Sequence, residues 1–194
     1  LDKSDFIRTR LTHSLEVSSF AKSLGQNISQ HLLQTKKDRS FTIRNKEDIC
    51  NILQCAGFIH DIGNPPFGHF GEEAIRDWFV RKLPEMKYQG KAVCEFLAPV
   101  MFQDLCHFEG NAQALRQVSK LYFLKICPDG SDVKKKKMGY FYAEENLYRD
   151  IARATGTNGE RNPLAYILEA ADDIAYLTAD IEDAFKKSFV SYDE

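Results

Sequence analysis

An all-α fold is predicted for this chain by three observations. Apolar residues recur at helical spacing through several long segments. No alternating apolar–polar stretch is long enough to specify a strand, apart from a short candidate around Met138 to Tyr142. Proline, glycine and polar runs separate the periodic segments, as breakers should between helices.

Leu15, Val17, Phe20, Ala21, Leu24, Ile28 and Leu32 place one amphipathic helix up to about Gln34. Thr35 to Lys46 is charged and polar and reads as a loop, and Glu47 to Ile62 reads as the second helix. Gly71 to Leu83 is a third, with Ala74, Ile75, Trp78 and Phe79 on its apolar side. Ala92 to Leu105 is ambiguous because Pro99 interrupts it. Glu109 to Lys125 and Ala143 to Ala154 read as two more helices. Pro163 opens the longest clear helix, which runs to about Lys187 and whose buried side is expected from Ile174, Ala175, Leu177 and Ile181.

The 194 residues, 43% hydrophobic, suffice for one compact domain with a core. A net charge of -2 gives no global field toward nucleic acid or membrane. Cysteines at 50, 55, 94, 106 and 127 are odd in number and lack CxxC spacing. They read as reduced core thiols of a cytoplasmic protein. No signal peptide and no apolar run of membrane-spanning length is seen.

Chemistry concentrates in His60-Asp61-Ile62-Gly63-Asn64-Pro65-Pro66-Phe67-Gly68-His69-Phe70-Gly71-Glu72. The apolar run Ile52 to Ile59 leads into His60-Asp61, and Gly63 with Pro65-Pro66 stops the helix. The pair is thus expected in the last turn of a mostly buried helix. Adjacent helical positions point about 100° apart, yet an ion lodged across the helix end is reachable from both. Imidazole with carboxylate suits Mn, Fe, Ni, Co or Zn better than Ca or Mg alone. A lone His-Asp dipeptide is ordinarily a chance surface pair. Here it has company in His13, near the start of the first helix, and Asp172, in the last.

The order His, His-Asp, Asp resembles the HD superfamily of metal-dependent phosphohydrolases, and more narrowly the deoxyguanosine triphosphate triphosphohydrolases (dGTPases). Four blocks carry the narrower likeness in family order: Arg8 to Val17, His60 to Glu72, Phe108-Glu109-Gly110-Asn111-Ala112-Gln113, and the acidic helix Glu169 to Asp183. Leu121 to Lys135 fits the family pattern poorly. The chain starts at Leu1 inside a family block and ends soon after the acidic helix, so residues 1–194 are expected to form a single HD-type domain cut from a longer enzyme. The resemblance implies an HD-type helical bundle around a metal site.

His13, His60, Asp61 and Asp172 are the expected metal ligands, drawn from three helices. Two histidines and two carboxylates leave positions open on an octahedral ion, as hydrolysis requires. The expected cofactor is a divalent ion (Mn, Mg, Co, Ni or Fe), with Mn or Mg first. Asp172, Tyr176 and Asp180 form an i, i+4, i+8 ladder on one helix face. The resemblance implies that Tyr176 and Asp180 line a deoxynucleoside pocket, with the tyrosine where a 2'-hydroxyl would crowd it. Glu169, Asp173, Glu182 and Asp183 read as solvated or structural.

His69 and Glu72, three apart, can meet on one helix face. A carboxylate beside imidazole fixes its tautomer and makes a general acid or base usable near neutral pH. The resemblance implies that they are the catalytic pair. A triphosphate needs cations: Arg10 precedes His13 by one helical turn, and its guanidinium matches phosphate oxygens bidentately. Asn64 and Asn111 are further substrate-binding candidates. Lys137 and Tyr140 are carried over from a family motif of lysines followed by Pro-Gly-Tyr-Tyr, from which Met138 and Phe141 depart. Phosphate binding uses no Gly-rich loop, for neither GxxxxGK[ST] nor GxGxxG occurs.

The expected function is metal-dependent hydrolysis of a deoxynucleoside triphosphate, dGTP first, to deoxynucleoside and inorganic triphosphate. A nucleotide phosphatase or phosphodiesterase on the same scaffold is one alternative, and a non-catalytic nucleotide-sensing module is another. The resemblance implies a homo-oligomer and, by family analogy only, single-stranded DNA as a partner. The balanced charge lends the DNA no independent support.

Overall fold

The computed structural model describes residues 8–36, 38–120, 140–157 and 160–191. Among them lie seven α-helices and one minimal hairpin, so the all-α expectation holds. The chain divides into two compact units, Leu1–His60 with Asn162–Glu194, and Asp61–Arg161.

The first unit is built from α1 (Arg10–Thr35), α2 (Ile43–Ile59) and α7 (Pro163–Lys186). Thr9 caps α1, its hydroxyl accepting from Thr12 N (3.2 Å) while Thr12 Oγ1 accepts from Thr9 N (2.9 Å). Thr42 and Asn45 repeat this box at α2, which therefore begins inside the segment expected to be loop. At its other end α2 stops at Ile59: His60 is the C-cap and residues 61–63 are turn, so the His-Asp pair sits just past the helix and not in its last turn.

Val17, Ala21, Leu53, Ala171 and Ala175 form the core of this unit, each at 0% exposure. The buried face of α1 runs through Ser14, Val17, Ser18, Ala21, Gly25 and Ser29, whereas Leu15 and Ile28 are exposed. Helix approach explains this correction. A Cβ on Gly57 would lie 2.5 Å from Ser18 Cα, and Ser18 Oγ donates to the Gln54 carbonyl at 2.8 Å. Large side chains do not fit so close a seam, and small ones do. On α7 the buried stripe is Ala171, Ala175 and Ala179, while Leu177 and Ile181 lie exposed, contrary to the expectation for them.

The second unit contains α3 (Gly68–Lys82), the hairpin strands β1 (Lys87–Tyr88) and β2 (Lys91–Ala92), α4 (Pro99–Cys106), α5 (Gly110–Lys120) and α6 (Glu145–Ala154). Gln89 and Gly90, at φ 50° and 82°, form the two-residue hairpin loop, where both residues need positive φ. Pro99 opens α4 and thereby resolves the ambiguous 92–105 segment into a 3-10 turn followed by a helix. Phe67, left-handed at φ 67°, starts α3 one turn earlier than expected. The tail 121–125 expected for α5 lies outside the described residues, as do Met138 and Gly139 of the candidate strand. Tyr140 and Phe141 belong to no strand, and Tyr142 enters a 3-10 turn. Among the described residues, no helix is long and apolar enough to cross a membrane.

Candidate active site

The first unit brings three metal-grade donors together. His13 projects from the second turn of α1, His60 from the C-cap of α2 and Asp172 from the middle of α7. Asp172 Oδ1 lies 3.1 Å from His13 Nε2 and 3.6 Å from His60 Nε2, and the three donor atoms are all within 4.8 Å of one another. Donors bound ~2.1 Å from one ion stand about 3.0–3.5 Å apart, and the 3.1 Å separation falls in that range while the 3.6 Å one lies just above it. Both imidazoles are nearly enclosed, with side chains 12% and 11% exposed.

The tautomer of His60 is dictated by its neighbour. Its Nδ1 lies 2.7 Å from the Gly57 carbonyl, which can only accept, so Nδ1 carries the hydrogen and Nε2 keeps its lone pair for the cluster. His13 Nε2 is buried and makes no hydrogen bond. Lone pairs aimed at one point repel unless a cation or proton lies among them, and a divalent ion satisfies this donor set. Packing holds the arrangement, since Ala171 and Ala175 bury the adjacent stripe of α7 against α1 and α2.

Tyr176, one turn beyond Asp172, lays its ring against His13 with centroids 4.7 Å apart. Its side is otherwise open, at 54% exposure. Asp180 is exposed one further turn along, and Arg10 is exposed at the first residue of α1, one turn before His13. Arg8 bridges Glu16 (2.7 Å) and Glu182 (2.8 Å), tying the start of α1 to the last turns of α7. Glu182, which the sequence reads as solvated or structural, makes this ion pair while its side chain stays 57% exposed.

Asp61 is the first residue of the second unit and does not belong to the three-donor cluster. Its Oδ1 accepts from Asn64 Nδ2 at 2.7 Å, and its carbonyl accepts from Asn64 N at 3.1 Å, which fixes the turn after His60. Glycines permit the packing around that turn. A Cβ on Gly63 would collide with the Gly110 carbonyl, and one on Gly110 with Asn64 Oδ1 and Glu72 Oε1.

His69 and Glu72 meet on α3 as their spacing predicts. His69 Nδ1 lies 3.0 Å from Glu72 Oε2, and the two side chains are 95% and 5% exposed. The carboxylate is anchored in the interior and the imidazole stands in solvent, its Nε2 presented outward. Glu72 Oε1 accepts from Gly110 N at 2.6 Å, and Oε2 also accepts from Arg76 Nη2 at 3.1 Å. Arg76 Nε donates to the Phe108 carbonyl at 2.7 Å. Neither Arg76 nor the role of Gly110 was legible in the chain. The i, i+4 step from Glu72 to Arg76 was the one available signal, and it is common on solvated helices.

Asn111, exposed in the first turn of α5, donates through Nδ2 to Glu109 Oε1 at 3.1 Å. Tyr140 stacks on Tyr148 with centroids 4.5 Å apart, and burial, with the nearby Glu145 carboxylate, pushes its hydroxyl above the usual phenol range. Lys137 lies outside the described residues.

A family model described as HD domain matches residues 10–177 of the chain. A deoxyguanosinetriphosphate triphosphohydrolase-like protein of Listeria innocua is 47% identical, with 98% of this chain and 46% of that protein covered. A deoxyguanosinetriphosphate triphosphohydrolase of Yersinia enterocolitica is 36% identical, covering 100% of this chain and 46% of the relative. The chain thus spans about half the length of the curated relatives it matches.

Proposed function

The chain belongs to the HD-domain family, and from that membership we propose that it is the metal-dependent part of a hydrolase that cleaves a deoxynucleoside triphosphate, dGTP first, into deoxynucleoside and inorganic triphosphate. The observation that carries the reading is the convergence of His13 Nε2, His60 Nε2 and Asp172 Oδ1 within 4.8 Å. The names of the relatives support the substrate class.

His13, His60 and Asp172 hold the ion in this proposal, with Asp61 as a fourth ligand and manganese or magnesium as the first ions to test. The ion, when bound, polarises a phosphoryl oxygen and acidifies water. Arg10 binds the phosphate nearest the sugar through its guanidinium fork, with Asn64, Asn111, Lys137 and Tyr140 as further polar contacts. His69 exchanges a proton with the attacking or leaving oxygen through its exposed Nε2, while Glu72 holds Nδ1. Asp180 accepts from the nucleoside. Among the described residues Cys50, Cys55, Cys94 and Cys106 are free, which supports a cytoplasmic setting, although Cys55 is exposed and is not the core thiol expected.

Attack at the α-phosphorus makes the nucleoside 5'-oxygen the leaving group. With dGTP, the inorganic product is expected to be intact tripolyphosphate, without earlier pyrophosphate or free phosphate. In ¹⁸O-labelled water, the label is expected in tripolyphosphate and not in deoxyguanosine. Pyrophosphate with dGMP would overturn the cleavage site, and activity confined to monophosphates would install a phosphatase instead. Tight nucleotide binding by the metal-loaded protein without turnover would install a sensor.

Tyr176 is proposed to stand where a 2'-hydroxyl would go, since its ring is braced on one side by His13. Hydrolysis of dGTP is expected to outrun that of GTP, and Tyr176→Ala to narrow the ratio of kcat/KM by roughly tenfold or more. Equal kcat/KM for the two sugars in the parent protein would remove this role.

A further inference from the structure

We infer that Arg76 is a positioning residue for proton transfer, acting through Glu72 to fix the imidazole of His69; the inference rests on the proposed shuttle role of His69. Its guanidinium spans two acceptors, with Nε on the Phe108 carbonyl at 2.7 Å and Nη2 on Glu72 Oε2 at 3.1 Å. The same short segment supplies Gly110 N to the other carboxylate oxygen at 2.6 Å. Both oxygens of Glu72 are therefore referred to residues 108–110, one directly and one through Arg76.

That geometry fixes more than a buried charge. Two of the three donors to Glu72 come from the framework, and the third is the exposed ring of His69. With 95% of its side chain in solvent, His69 has little packing to orient it, so the direction of its Nε2 is set by where Glu72 Oε2 lies. Arg76 shares that oxygen. It also supplies the countercharge to a carboxylate only 5% exposed, a group costly to leave unpaired. A lysine cannot do both tasks, because one ammonium cannot span carbonyl and carboxylate as a rigid fork does.

The test compares Arg76→Ala, Arg76→Lys, Glu72→Gln, His69→Ala and the double variant Arg76→Ala with Glu72→Gln, all in the full metal-loaded protein with dGTP. Arg76→Ala is expected to lower kcat roughly 10–100-fold, the scale on which outer partners of a functional group act. KM and bound metal are expected to stay near parental values, and Arg76→Lys to fall between parent and alanine. The double variant is expected to be no slower than Glu72→Gln alone, because the two residues act as one unit. The Arg76 side chain is 39% exposed, so added guanidinium ion can reach the vacancy and is expected to restore part of the lost kcat. If Arg76→Ala proves too unstable to assay, Arg76→Lys carries the comparison, and a parental kcat in that folded variant would overturn the role of the fork. Multiplying effects in the double variant would overturn action through Glu72. A parental rate for Arg76→Ala beside a slow His69→Ala would defeat the Arg76 assignment alone. Parental rates for His69→Ala and Glu72→Gln would defeat the shuttle beneath it.

Discussion

Asp172→Ala and His60→Ala are each expected to lose bound metal and hydrolysis together, while the protein stays folded. Asp172 Oδ1 faces Nε2 of both imidazoles, at 3.1 and 3.6 Å, so its removal leaves two neutral donors with no anionic partner among the three. Loss of an outer partner of a ligand already costs ~10–100-fold in metal affinity, and loss of a ligand itself costs more. The fold should survive because Asp172 lies beside the core and not in it; Val17, Leu53, Ala171 and Ala175 remain packed. His60→Ala also removes the bond from Nδ1 to the Gly57 carbonyl, worth about 1 kcal/mol. Binding to the native state alone raises stability, so manganese is expected to raise the Tm of the parent and not that of either variant. Full metal occupancy in both variants would remove the proposed centre.

His69→Ala is expected to leave bound metal and dGTP binding intact while turnover falls by a factor on the order of 10²–10⁴, the scale of lost general acid–base catalysis. Structure makes this a clean separation. The His69 side chain is almost wholly exposed, so truncation opens no cavity, and Glu72 keeps its bonds from Gly110 N and Arg76. The measurement is single-turnover hydrolysis beside equilibrium binding of dGTP and metal analysis. A parental rate would return His69 to a surface residue.

Much of the fold was legible because helices are local. Apolar spacing marks α1, α3, α6 and α7, and Pro163 and Pro99 mark where helices begin. The start of α2 is not legible in the sequence because its cap pairs Thr42 with Asn45, and the strong signal at that position is an acid or amide of the longer Glu/Gln kind. The sequence carries its end past His60 to Ile62, whereas the helix stops at Ile59 and the Asp61–Asn64 bonds form the turn. One of those bonds joins backbone to backbone and the other side chain to side chain, and apolar spacing displays neither.

By itself, the order of residues determined that the chain is helical, that His13, the His60-Asp61 pair and Asp172 are candidate donors, and that His69 and Glu72 share a face. The helices and the shared face of His69 and Glu72 follow from separations of at most a few turns, whereas the donor set follows from the order of the four family-like blocks along the chain. Only the tertiary structure decided that three donors meet with Asp172 at the centre, that small residues and not Leu15, Ile28, Leu177 or Ile181 form the seam, and that Glu72 is gripped by Gly110 and Arg76. The physical reason is that these contacts depend on how closely helix backbones approach. That distance is set where Gly57 meets Ser18 and where Gly110 leaves room for Glu72, between residues far apart along the chain.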